Sequence, residues 1–213
     1  MKSKKNLLEQ LKPLPHFDKT TVYQLGKQLG LEDSTVDTYI SRFLKYKEIL
    51  RLKNGTYVSA AFFEKNRADI SYSFYLANII RTPSYVSSWA ALQYYNLATE
   101  AIHSITSVTI KVTRDYQTKA GNFAYQSINK ELFSDFSLAK GNFDFFIASP
   151  SKALFDLLYF RTRQFRSLAM VSVKVATDPI RVIKELIEEL RIDIDEMDGL
   201  EQAKFYSSIK KYI

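Results

Sequence analysis

The sequence predicts an α+β fold in two parts, and three observations carry that reading. Between Phe17 and Val58, two stretches of helical apolar spacing are followed by a two-strand hairpin pattern. Further along, alternating runs at 104–113, 121–128 and 142–149 are interleaved with helical stripes, as in an α+β domain. The basic excess is confined to the first part. Residues 1–67 carry 13 Lys or Arg against 7 Asp or Glu, whereas residues 68–213 carry 17 against 16.

The N-terminal stretch MKSKKNLLEQLKPLPHF predicts a short amphipathic helix with Leu7, Leu8 and Leu11, ended by Pro13 and Pro15. Lys2, Lys4 and Lys5 make it a basic terminus. Thr20 then serves as cap for a helix carrying Val22, Leu25 and Leu29, and Gly30 stands where a helix ends in a left-handed residue. Asp33 and Ser34 cap a second helix whose Val36, Ile40, Phe43 and Leu44 form one apolar stripe. That stripe leaves Ser34, Thr38, Ser41 and Lys45 facing outward, flanked by Thr35 and Arg42. ILRLK-NG-TYV follows as two strands around Asn54-Gly55, a pair suited to a type I′ turn. Period-2 alternation places Leu50 and Leu52 on the buried side and Arg51 and Lys53 on the other.

Two helices and a hairpin in this order predict a winged helix-turn-helix over residues 1–60. The chemistry expected of it is binding of double-stranded DNA, with the second helix in a major groove and the hairpin beside the adjoining backbone. The candidate contacts are Ser34, Thr35, Thr38, Ser41, Arg42 and Lys45 on the helix, and Arg51, Lys53 and Asn54 on the hairpin. The local net charge of +6 is the pattern that phosphate attraction requires. Glu32, Asp33 and Asp37 oppose it, because they favour the helix dipole but repel phosphate.

Residues 61–69 are expected as a junction, and 70–213 as the second domain. It opens with a helix from about Ile70 to Ile80, with Ile70, Phe74 and Ala77 on one face. Ser87 or Ser88 caps a short helix with Trp89, Leu92 and Tyr95. Strands follow at 104–113, from Gly121 and from Asn142. Ser149-Pro150 and Asp178-Pro179 each start a helix, and a last helix begins near Asp198.

Composition narrows the function. The chain has 213 residues, 46% hydrophobic, enough for a packed core. No cysteine occurs, which removes disulfides and thiolate chemistry and suits a reducing compartment. Without an apolar run of about 18 residues or a signal-like segment, the expectation is a cytoplasmic protein with no membrane contact. Ser149 to Lys152 spells S-x-x-K, but no S-D-N or K-T-G follows, and Ser-Pro at a helix start is ordinary capping. His16 and His103, the only histidines, are expected at surface or turn positions. The spacing of Asp115, Glu131, Asp135 and Asp144 gives no metal-site pattern. No glycine-rich phosphate loop is present. The residues therefore predict no catalytic site and no cofactor.

SYVSSWAALQYYNL at Ser84–Leu97, SITSVTIKVT, GNFAYQSI and ASPSKALFDLLYF at Ala148–Phe160 follow the winged helix in a characteristic order. In this the chain resembles the AbiEi-type antitoxins of abortive-infection (type IV) toxin–antitoxin systems, over nearly its whole length. The resemblance implies a C-terminal antitoxin domain, autorepression through inverted repeats in the chain's own promoter, with a dimer on DNA as the expected form, and a nucleotidyltransferase-fold toxin as partner. It carries Thr35, Thr38, Ser41, Arg42, Arg51, Lys53 and Asn54 over as DNA contacts. Two other readings stay open on the residues alone: a metal-dependent nuclease or RNA-processing enzyme using the second domain, and a winged-helix adaptor that binds protein.

Overall fold

A computed structural model describes residues 2–99, 103–162 and 178–212. The fold mixes helices with two separate sheets. The first part contains α1 (Lys2–Leu11), β1 (Phe17–Asp18), α2 (Lys19–Gln28), α3 (Asp33–Lys45), β2 (Ile49–Lys53) and β3 (Thr56–Ser59). Its antiparallel sheet runs β1-β3-β2. Leu7, Leu11, Phe17, Val22, Val36, Ile40, Phe43, Ile49 and Tyr57 close a small core between α1, α2, α3 and that sheet.

Two caps differ from expectation. Asp18, not Thr20, caps α2, accepting from Thr21 N at 2.7 Å; an ionised carboxylate is the stronger acceptor at a positive helix end. Glu32 occupies the cap position of α3 without a side-chain bond, so neither Asp33 nor Ser34 caps it. Gly30 takes φ +69°, as its place after α2 requires.

The glycine that matters most for packing is Gly26, inside α2. A Cβ there would lie 2.4 Å from Cγ2 of Val36 on α3, so the missing side chain sets how closely the two helices approach. Gly26→Ala should therefore destabilise the protein by roughly 1–3 kcal/mol despite alanine's better helix propensity. Urea denaturation checks this, and a stabilised variant would overturn it.

The second part begins with α4 (Ala60–Asn66), a helix over most of the expected junction, capped by Ser59. Then come α5 (Ile70–Ile80), β4 (Tyr85–Val86), α6 (Ser88–Tyr94), β5 (Ile105–Thr109), β6 (Arg114–Thr118) and β7 (Gly121–Ser127). A 3-10 turn at Lys130–Leu132 leads to β8 (Phe136–Ala139), β9 (Phe145–Ala148) and α7 (Pro150–Arg161). Among the described residues that come after it are α8 (Pro179–Glu189) and α9 (Gly199–Tyr212). The strand order is β6-β7-β5-β4-β9-β8, with β5/β7 and β4/β9 parallel and the other pairs antiparallel.

The strand expected over 104–113 stops at Thr109, and Arg114–Thr118 returns as a separate strand against β7. On α5, Phe74 and Ala77 are buried as expected, but Ile70 is 48% exposed and Tyr72, Leu76 and Ile80 are buried instead. Ser87 occupies the cap position of α6 but makes no cap bond. Its hydroxyl goes to Asp156 at 2.7 Å, and Tyr85 OH donates to the same oxygen at 3.1 Å. Asp156 is fully buried and ion-paired within α7 with Lys152 at 2.7 Å, so the bonds from Ser87 and Tyr85 tie α7 to the sheet.

The hairpin β2–β3 joins the two parts. Its register shifts between Arg51 and Lys53, which pairs Lys53 with Thr56. Ile49 and Tyr57 belong to the small core, while Leu52 and Val58 are buried in the larger core built around α5, the six-stranded sheet and α7. Across the same seam, Tyr72 OH donates to Pro15 O at 2.7 Å and His16 Nδ1 lies 2.6 Å from Tyr75 OH. His16 is accordingly half-buried, and burial lowers its pKa. His103 is exposed. Among the described residues no helix is long and apolar enough to cross a membrane.

Candidate nucleic-acid interface

The outward face of α3 holds most of the expected contacts. Ser34, Thr38, Ser41, Arg42 and Lys45 are exposed and Thr35 is half-exposed. Thr38 and Ser41 use their hydroxyl protons inside the helix, donating to Ser34 O at 3.1 Å and Asp37 O at 3.0 Å. Each keeps its oxygen lone pairs as acceptors, so in this state both suit a base amino group better than a base carbonyl. Neither Arg42 nor Lys45 is ion-paired among the described residues.

The acids at the start of α3 divide into two kinds. Glu32 and Asp33 stay exposed. Asp37 is neutralised: Lys19 Nζ lies 2.9 Å from Oδ1, and Tyr23 OH donates to the same oxygen at 2.8 Å. These bonds, Lys19 first, hold the Asp37 carboxyl below its ordinary range, while hydrogen bonds to Tyr23 and then Asp37 raise the Lys19 ammonium. The pair fastens α2 to α3 and removes one of the charges that would repel phosphate.

On the hairpin the placement is split. Arg51 and Asn54 are exposed on the strand and at the turn. Gly55 takes φ +75° while Asn54 does not take a positive φ, so the turn is not the expected type I′. Lys53 departs from its expected outward placement. Its ammonium donates to Ile79 O at 3.0 Å and Ile80 O at 2.9 Å, at the C-terminus of α5, where the partial negative charge of the helix end attracts a cation. The irregularity between Arg51 and Lys53 explains the departure, because alternation fails across it. Lys53 therefore lies apart from the α3 face. Lys4 is also engaged, 3.4 Å from Glu48 and 5.1 Å above the Phe43 ring.

Two cations that were not anticipated join the face. A groove of about 640 Å³ runs between the end of α3, β2 and the β6–β7 turn. Lys45, Lys47, Arg51 and Lys119 line it and no acidic residue does. Lys47 is placed by its left-handed φ of +57° in the α3–β2 turn, and Lys119 arrives from a hairpin more than sixty residues away. Neither has a local sequence signal.

The positions weighed for catalysis do not assemble. Ser149 accepts from Lys152 N at 3.3 Å as the α7 cap, whereas Lys152 Nζ is spent on Asp156. A second cavity of about 780 Å³ lies beside this cap, lined by Ser149, Ser151, Asp135, Glu131, Lys204 and neighbours on α9. There Ser151 donates to Glu201 through both N and Oγ, at 3.1 and 2.6 Å, docking α9 on α7. Burial opposes ionisation of Glu201, but the bonds from Lys204 and Ser151 outweigh it and bring its pKa to about 2. Among the described residues no three carboxylates or histidines group as metal ligands, and Asp144 pairs instead with Lys140 at 2.6 Å.

No family model and no curated protein matches the chain.

Proposed function

We propose that the chain is a DNA-binding transcriptional autorepressor built on an N-terminal winged helix-turn-helix, and that its C-terminal part is an antitoxin. The observation that carries the DNA reading is the basic face. Arg42, Lys45, Lys47, Arg51 and Lys119 border α3 and its groove without ion-pair partners among the described residues, while Asp37 is silenced by Lys19. Five such cations beside a helix that exposes Thr38 and Ser41 suit a duplex, with phosphates on the rim and base edges at the helix centre. The protein would act in the cytoplasm, as two copies on an inverted repeat upstream of its own gene, without a cofactor and without turnover. The antitoxin role and the nucleotidyltransferase-fold toxin rest on the resemblance to AbiEi-type antitoxins.

Footprinting the DNA upstream of the gene tests the first claim. Two protected half-sites separated by a whole number of helical turns are expected. Protection that is absent, or that does not change between about 50 and 200 mM salt, would remove the DNA reading. For the second claim, the full chain should restore growth when the toxin encoded beside it is expressed from an independent promoter.

A further inference from the structure

Where the hairpin meets the second part, several cations lie together with no ion pair among the described residues. Lys53 on β2, Arg81 after α5 and Lys111 before β6 gather around residues 79–82, Arg81 reaches the Tyr116 hydroxyl, and Arg114 lies over the Tyr116 ring at 5.4 Å. Among the described residues the hydrogen-bond partners of these groups are neutral. Lys53 donates to the carbonyls of Ile79 and Ile80, Lys111 to Thr82 O, and Arg81 to Val112 O and to Tyr116 OH at 3.5 Å.

Counting donors shows what is left over. An ammonium has three N–H groups and a guanidinium five. Lys53 thus keeps one donor, Lys111 keeps two, and Arg81 keeps Nε together with one N–H on each terminal nitrogen. Arg81 is only 8% exposed, and its Nε has no partner. A buried guanidinium donor without an acceptor is destabilising, and neighbouring like charges add to that. Consistent with this crowding, burial and then the charges of Lys111 and Arg81 lower the Lys53 pKa, offset in part by Tyr116. An anion with several acceptor oxygens would satisfy these donors together. Lys111 and Arg114 are exposed, whereas Arg81 is buried.

We propose that Lys53, Arg81 and Lys111, with the Tyr116 hydroxyl, form a phosphate-binding site at the seam between the hairpin and the second part. The group bound is a phosphate monoester or diester, either on the backbone of a duplex reaching past the hairpin or on a free phosphate-bearing ligand. Tetrahedral oxygens match the leftover fork of Arg81 and the two ammonium groups.

The test uses the full chain and two probes. With inorganic phosphate at about 20 mM, the unfolding midpoint should rise by roughly 4–7 °C above that in chloride of equal ionic strength, if the site binds near 1 mM. The rise should disappear in Lys111→Gln, which changes an exposed residue, and in Arg81→Gln, whose own stability sets its baseline. No rise in the wild type, or an equal rise in all three proteins, would overturn the proposal. The second probe is the upstream duplex. If Lys111→Gln weakens binding by about 3- to 10-fold and flattens the log–log salt slope by about 0.9, the phosphate belongs to DNA. If the duplex affinity is unchanged while the phosphate-induced rise is lost, the site serves a free phosphate-bearing ligand. Should the wild type bind no duplex, the autorepressor reading fails by itself, and the phosphate measurement still decides the site.

Discussion

Replacing Arg42 and Arg51 together by alanine should lower affinity for the upstream duplex by about 100-fold at 0.15 M salt, with the fold intact. Arg42 leaves α3 one residue after Ser41, and Arg51 stands on β2 at the rim of the same groove, so they reach different points of the backbone. Each phosphate contact contributes about 0.9 to the log–log salt slope, and the double variant should flatten it by roughly 1.8 per protomer. Thr38→Ala and Ser41→Ala should behave differently. They shift preference at one or two base pairs, by about 1–3 kcal/mol each, and leave the slope alone. Anisotropy titrations at four salt concentrations separate the two behaviours. A double variant with unchanged slope and affinity would place the DNA surface elsewhere.

Lys152→Met should be among the most damaging single changes to stability. It leaves Asp156 fully buried without its cation, and breaking a buried pair from one side costs about 3–5 kcal/mol. Desolvation by burial raises the Asp156 pKa even with Lys152, Ser87 and Tyr85 present to lower it. A carboxyl whose pKa is raised in the folded state contributes stability that is complete below its unfolded value, near 3.8, and is lost as pH rises through the folded value. Without Lys152 the folded value moves further up. The deficit against the wild type should therefore grow as pH rises from about 5 to about 8. Lys152→Met/Asp156→Asn should recover about 2 kcal/mol, because the amide oxygen still accepts from Ser87 and Tyr85 and no charge remains. Urea denaturation at the two pH values decides this, and a pH-independent loss below about 1 kcal/mol would show that the buried pair contributes little to stability.

What could be read from the residues followed from local physics. Val36, Ile40 and Phe43 recur along α3 strongly enough to give its inner face and hence its outer one, and Ser149-Pro150 and Asp178-Pro179 open their helices as written. Elements with weak local patterns escaped: RDYQT and FSLA are edge strands whose mostly exposed residues hide any alternation. AAFFEKN reads as a linker until Ser59 caps it. The basic face was half visible. Arg42, Lys45 and Arg51 follow from helix and strand periods, but Lys119 enters through sheet topology and Lys53 leaves through a register shift that no period predicts.

The hairpin has a consequence for anyone who would cut or graft this protein. Leu52 and Val58 serve as wall for the larger core, and Lys53 fastens the same strand to the end of α5. A fragment ending near residue 60 would carry that wall into water as an adhesive strip, and the remainder would lose the lining of its own interior. Any transplant of the N-terminal unit onto a foreign partner must therefore first repaint Leu52 and Val58 with polar residues, whereas an interchange of whole chains leaves the shared wall untouched.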